Sequence, residues 1–333
     1  MVGFALKGSL IDYAQLAARA AHLQAAGLPL RIELHTFGPR DLYAPEGRRW
    51  CLANLDRLQD TFGPAELTVH IPFQDVNLVT EADFDAEQVR GTLAFATEAG
   101  AGQVVMHRYW GMVHGDKPPR CDRATATASF NETVIALARE HPDVALLVEN
   151  MGHYFLASKK ASDYLAGPLD HFFPWDIAAF RRAMADEGAT NVHPFIDVAH
   201  ATLTSNLFNH CRNHWDKTCG DPRFQGIEPS DLDESDRLAP FDFVDGLMPW
   251  LHVSDSLLAD EGDPELGLAH LTSEGLEIGK GNLPFARLPE HLDSARADTV
   301  LLLEVEPGPG ESYVENGAQY RSLDQMRSIF NGT

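Results

Sequence analysis

Short apolar runs alternate along this chain with longer stretches in which apolar positions recur at helical spacing, the pattern of βαβ units around a parallel sheet. The runs fall at residues 2–6, 30–36, 67–72, 103–108, 145–150, 193–198, 249–254 and 299–305. Between them lie helix candidates with recognisable ends. Asp12 to Gln24 stops before Gly27, Arg48 to Phe62 before Gly63, and Ala82 to Ala99 before Gly100, while Trp175 to Glu187 is entered through Pro174 and closed by Gly188. Proline presets the first turn of a helix, and glycine takes the left-handed conformation just past the last one. Eight such units use the chain without remainder, so the expected architecture is an α/β fold, a (β/α)8 barrel forming a single domain over residues 1–333. A doubly wound open sheet is the rival, but no G-x-G-x-x-G follows the first run.

Two segments break the regular spacing. Residues 201–240, rich in His, Asn, Asp and Pro, follow the sixth run, and residues 255–283 follow the seventh. In a barrel, segments after strands lie at the mouth, so both are expected to be long loops that shape a pocket or lid, with an oligomer contact as the plainer reading.

Composition narrows the function classes. The chain is 44% hydrophobic, enough for a large core, and carries 49 acidic against 26 basic residues, a formal net charge of -23. Such a field opposes a polyanion, which weighs against a nucleic-acid substrate and for a small molecule. An acidic surface with few lysines also suits high salt, in which case charge says little about substrate. No run approaches the ~18 apolar residues of a membrane span, and the N-terminus lacks a basic then apolar leader, so a cytoplasmic protein is expected. Four dispersed cysteines, Cys51, Cys121, Cys211 and Cys219, are expected as free thiols.

Six apolar runs end on a residue type that binds metal: His70, His107, Glu149, Asp197, His252 and Glu304. Burying a carboxylate or imidazole at a strand end is costly unless it is paired or bound to a cation, and a barrel brings all its strand ends to one mouth. Taken singly, each histidine is more often a hydrogen-bonded core residue. Glu306 shares a strand face with Glu304, as His35 does with Glu33 on the second run, where a salt bridge to a neighbouring strand is an equal alternative to lining the mouth. Phe73 and Trp110, just past strand ends, are placed to pack on the apolar face of a sugar or simply to cap the core. Lys280, between two glycines, reads best as an exposed turn lysine.

The motifs H-x-P-F-x-x-V-N-L at 70–78, V-M-H at 105–107, V-E-N at 148–150, I-D-V-A-H at 196–200, L-H-V-S-D-S at 251–256, I-G-K-G-N-L-P-F at 278–285 and L-E-V-E-P at 303–307 resemble the xylose-isomerase-like TIM barrel superfamily over most of the chain. That superfamily includes sugar isomerases and epimerases, dehydratases and the endonuclease IV branch. The resemblance to its sugar-active branches implies one divalent ion (Mn, Mg, Co or Zn) held by Glu149, Asp197, His252 and Glu304. It also implies Glu149 and Glu304 as catalytic carboxylates, Glu304 doubling as ligand and base, with His200 as a further acid or base and His70 and His107 as contacts to substrate hydroxyls. The resemblance to endonuclease IV implies instead a second metal on His70, His107 and Glu149, and phosphodiester hydrolysis. Its third site is incomplete here: Ser273 and Gly275 stand where an Asp-x-His pair is needed, and a gapped match reaches His270 but puts Leu268 at the Asp. The second catalytic glutamate and the substrate arginine of the sugar 3-epimerases are replaced by Phe155 and Leu258. The expected function is thus a metal-dependent isomerase, epimerase or lyase on a sugar, cyclitol or related small molecule, with an endonuclease IV-like phosphodiesterase as alternative and an inactive scaffold as a third reading. A homodimer is compatible with a barrel of this kind.

Overall fold

The computed structural model describes residues 2–36, 40–72, 82–108, 122–152, 172–221, 224, 226–244, 250–260, 266–292 and 299–331. Its eight strands close into a barrel in chain order, every neighbour parallel. They are β1 (Gly3–Ser9), β2 (Arg31–His35), β3 (Glu66–His70), β4 (Gln103–His107), β5 (Ala145–Glu149), β6 (Val192–Asp197), β7 (Trp250–Val253) and β8 (Val300–Leu303). The helices are α1 (Tyr13–Ala25), α2 (Arg40–Tyr43), α3 (Pro45–Phe62), α4 (Ala82–Ala99), α5 (Arg123–Glu140), α6 (Pro174–Asp186), α7 (Val198–Asn213), α8 (Trp215–Thr218), α9 (Pro229–Glu234), α10 (Leu268–Thr272), α11 (Leu288–His291) and α12 (Gly317–Asn331). None of them is long and apolar enough to cross a membrane. Cys51 and Cys211 are buried free thiols and Cys219 an exposed one, while Cys121 lies outside the described residues.

Strand side chains alternate between faces, and this alternation builds the barrel interior in tiers. A small apolar cluster of Ala5, Val105, Leu147, Phe195, Trp250, Val300 and Leu302 fills the inside. Two residues further along the same strands stand Lys7, His107, Glu149, Asp197, His252 and Glu304. Register sets them side by side: Lys7 pairs with Glu33, His107 with Glu149, and Asp197 with His252. The opposite parity, including Leu6, Val69, Met106, Val148 and Leu301, packs outward against Leu16, Leu93, Phe130 and Ile177 of the helices. The apolar plug thus supports a polar tier at the mouth.

Two expectations about spacing change. The first strand, expected to end at residue 6, runs to Ser9 and so carries Lys7 on the barrel wall. The segment 201–240 is not one long loop, because residues through Asn213 belong to α7, which starts directly after β6. The polar residues Thr202, Thr204 and Asn206 in its first half are buried for a structural reason. Thr202 donates to the Val198 carbonyl, and Asn206 donates to the carbonyls of Leu257 (2.7 Å) and His270 (2.8 Å), so α7 holds the segment after β7 in place. Polarity there signals hydrogen bonding inside the fold, not exposure. Beyond α7 the chain continues through α8, α9 and a 3-10 turn at Pro240–Phe243.

The G-K-G-N turn is held by one carboxylate. Asp255 accepts the backbone N–H groups of Gly279 (2.7 Å), Gly281 (3.0 Å) and Leu283 (3.2 Å), while Lys280 is exposed as expected. A Cβ on Gly281 would lie 2.1 Å from the Ser256 carbonyl oxygen and 2.5 Å from Asp255 Oδ1. Backbone cannot yield there, so Gly281→Ala is expected to lower unfolding free energy by about 2–4 kcal/mol, read from urea denaturation. A loss below about 0.5 kcal/mol would mean that the turn relaxes freely.

Candidate metal centre and its cavity

His252 sits at the middle of the polar tier, fully buried. Its Nε2 donates to Glu33 Oε2 at 2.9 Å, and its Nδ1 lies 2.8 Å from Glu149 Oε1, 2.6 Å from Glu304 Oε2 and 3.8 Å from Asp197 Oδ2. Burial alone would lower the basicity of the imidazole, but Glu304, Glu33 and Glu149 outweigh it and hold the pKa well above its usual value. Glu33 fixes the ring from behind, so Nδ1 is the atom presented to the other carboxylates; a carboxylate behind a metal-binding histidine typically orients it in this way. Donor atoms of Glu149, Asp197, His252 and Glu304 all lie within 4.8 Å of one another.

Glu149 joins this group to a second one. Its Oε1 faces His252, while its Oε2 lies 3.3 Å from both His70 Nε2 and His107 Nε2. His70, His107 and Glu149 also bring ligand atoms within 4.8 Å of one another. His70 Nδ1 is 2.8 Å from the Ile71 carbonyl, which directs Nε2 toward Glu149. Burial would raise the Glu149 pKa, and His252, His107 and His70 together hold it well below the carboxylate range.

The donor chemistry fits a divalent cation. Four buried or half-buried carboxylates, Glu33, Glu149, Asp197 and Glu304, converge here beside Lys7 and the imidazoles of His252 and His200, whose raised pKa values put positive charge next to them; a divalent ion on the same oxygens would take the place of the imidazole protons. Three carboxylates and one imidazole suit Mn, Mg, Co or Zn.

Lys7 is a member of the site that sequence reasoning misses. Its Nζ lies 2.5 Å from Glu304 Oε1, so the Glu304 oxygen expected to be free as a base is bound to an ammonium. Burial opposes its charge, yet Glu304 keeps its pKa raised above the ordinary lysine value. The signal lies in alternation: Lys7 stands two residues after the inward Ala5, but a charged residue ends the apolar run.

Asp197 serves two partners. Oδ1 accepts the His200 N–H at 2.7 Å and caps α7, while Oδ2 faces His252. Burial, partly offset by His200, pushes the Asp197 carboxyl up to about 6. Between its ordinary value of 3.8 and about 6, the folded protein holds a proton that the unfolded chain has lost, so this group lowers metal-free stability as pH rises through that window. A divalent ion competes with the same proton. Stabilisation by added Mn²⁺ is therefore expected to grow as pH rises past about 6, in thermal melts run from about pH 5 to 8. A metal-induced shift that is independent of pH would count against Asp197 as a ligand.

His200 reaches the site from the first turn of α7. Its Nδ1 donates to the Asn150 carbonyl at 2.7 Å, leaving Nε2 3.2 Å from Glu274 Oε2. Burial would lower its pKa, but Asp197, Glu274 and Glu149 keep it well above the usual value. Glu274 is the residue between Ser273 and Gly275, the two positions at which the Asp-x-His pair is missing. His270 is not part of the site; it lies on α10, where its carbonyl accepts from Asn206.

These groups open onto a cavity of ≈ 300 Å³ whose wall includes Lys7, His70, His107, Asp197, His200 and Glu304. His35 and Glu306 line it as well, the latter accepting from the Tyr313 hydroxyl at 2.7 Å. Leu258 is not among its lining residues and borders a smaller hollow beside α7. Phe73, Trp110 and Phe155 lie outside the described residues.

A family model described as the xylose isomerase-like TIM barrel matches residues 31–323. The chain belongs to this family. Curated protein sequences give no match. Among solved structures, the barrel is similar to that of a D-tagatose 3-epimerase-like protein, with TM-score 0.56 at 16% identity, covering 98% of this chain and 97% of the other. It is similar to 3-keto-D-glucoside 4-epimerase from E. coli (TM-score 0.56, 14% identity, 98% and 100% covered). It is also similar to endonuclease IV from Thermus thermophilus (TM-score 0.55, 17% identity, 99% and 100% covered). At such identities the likeness is one of fold, and the proteins that share it include sugar epimerases and an endonuclease.

Proposed function

We propose that this family member is a divalent-metal-dependent enzyme that isomerises, epimerises or dehydrates a small polyhydroxylated carbonyl compound by removing a proton beside the carbonyl. The observation that carries the reading is the four-donor group of Glu149, Asp197, His252 and Glu304, of which Asp197 and Glu304 line a ≈ 300 Å³ cavity, a size that suits a sugar or cyclitol. A divalent ion held there supplies Lewis-acid stabilisation of negative charge on a substrate oxygen. The chain's own residues do the rest. His200 Nε2, kept at the cavity wall by the Nδ1 bond to Asn150 and paired with Glu274, is the acid or base. Lys7 holds Glu304 Oε1 and offers its remaining protons to a substrate oxygen. His70 and His107, which line the same cavity, contact hydroxyls.

Deuterium exchange from solvent into a panel of ketoses, aldoses and cyclitols tests this, using protein loaded in turn with Mn²⁺, Co²⁺, Mg²⁺ and Zn²⁺. Exchange at a carbon next to a carbonyl is the expected result; none with any pair of metal and substrate would overturn it. One observation favours a second reading: Glu149 puts one oxygen on each of two ligand groups, as a carboxylate bridging two ions would. Two ions per chain together with cleavage of an abasic-site duplex would move the assignment to phosphodiester hydrolysis.

A further inference from the structure

The cavity over the candidate metal centre extends away from His200 toward β2 and α12, where Thr36 and Gln319 line it. Both are 1% exposed. The Gln319 amide nitrogen donates to the carbonyls of Leu303 (2.7 Å) and Lys7 (3.3 Å), which settles which end of the amide is which. Its Oε1 is then an acceptor without a hydrogen-bond partner, and Thr36 Oγ1 is a hydroxyl without one. Buried polar atoms left unpaired are destabilising, so two of them on a cavity wall call for a ligand that both donates and accepts.

The charges beside them select the kind of ligand. Lys7 is bound to Glu304. Arg19, buried behind it, gives four of its five N–H groups to the carbonyls of Lys7, Tyr313 and Val314 and to the Tyr320 hydroxyl. Among the described residues of this arm, then, the charge of Lys7 is neutralised by Glu304 and Arg19 is turned to backbone carbonyls, while Glu306 adds a further carboxylate to the same space. A phosphate or carboxylate placed here would meet an amide oxygen and two carboxylates, whereas a hydroxyl can donate to Gln319 and exchange a hydrogen bond with Thr36.

We propose that this arm is a subsite for the uncharged, hydroxylated end of the substrate, so that the protein takes a free sugar or polyol and discriminates against its terminal phosphate. The proposal rests on the sugar-type reading of the metal centre.

The test is equilibrium binding by the full-length, Mn²⁺-loaded protein, by calorimetry or ligand-observed NMR. Free ketohexoses and cyclitols are compared with their terminal monophosphates and with a four-carbon ketose that is too short to reach the arm. At least tenfold weaker binding of the phosphates is expected. Thr36→Val should weaken binding of the six-carbon ligand about five- to tenfold and leave the four-carbon one unchanged, with Thr36→Ser restoring the loss. Phosphates binding as tightly as the free compounds, in the wild-type protein alone, would overturn the subsite whatever the variants do. So would equal effects of Thr36→Val on long and short ligands. Binding of no member of the panel would remove the sugar-type reading and the subsite together, a result distinct from either of these.

Discussion

Glu149→Gln is expected to strip the purified protein of most of its divalent metal and to lower turnover by at least about 10³-fold. The size of the effect follows from position. Glu149 is fully buried, one oxygen faces His252 and the other faces His70 and His107, so one substitution disarms both ligand groups. The amide keeps the volume and loses the charge, leaving the imidazoles without the carboxylate that they share. Elemental analysis of dialysed protein reads the metal directly. His107→Ala is the control, since it touches only the second group and is expected to remove one ion at most. Full stoichiometry in Glu149→Gln would dismiss the candidate centre, and equal losses in both variants would show that the groups are not separable.

Lys7→Met is expected to have the opposite signature: metal retained or bound more tightly, with turnover reduced about 10²-fold. Removing the ammonium frees Glu304 Oε1 and leaves the carboxylate cluster more negative, which favours a divalent ion. It also deletes the donor that would meet a substrate oxygen, and losing one such donor costs about 10²–10³ in rate in other enzymes. Without metal the variant is expected to be less stable by roughly 1–3 kcal/mol, because Glu304 keeps His252 but loses its ammonium partner. Metal affinity, turnover and metal-free stability separate this role from simple packing. Weaker metal binding together with lost turnover would make Lys7 a structural prop of the ligand set.

Much of this is legible in the sequence because barrel strands advertise themselves twice, by apolar runs and by what ends them. Glu149, Asp197, His252 and Glu304 close successive runs, and the structure gathers them. Lys7 escapes because the apolar run stops before the strand does, inward positions near a mouth being polar where the chemistry sits. The start of α7 is hidden for the opposite reason, since Thr202, Thr204 and Asn206 look like loop residues and are buried through their hydrogen bonds. Glu274 and Gln319 depend on long-range contacts, with partners 74 and 16 or more positions away, and no local pattern announces them.

The two-tiered interior has a consequence for how such proteins diverge. The plug of Ala5, Val105, Leu147, Phe195, Trp250, Val300 and Leu302 and the polar tier above it use the same strands but different residues, two positions apart. A change of reaction can be written in the upper tier while the lower one goes on closing the barrel. Scaffold and polar mouth then sit on separate residues of the same strands, so one barrel is free to carry different side chains at its mouth.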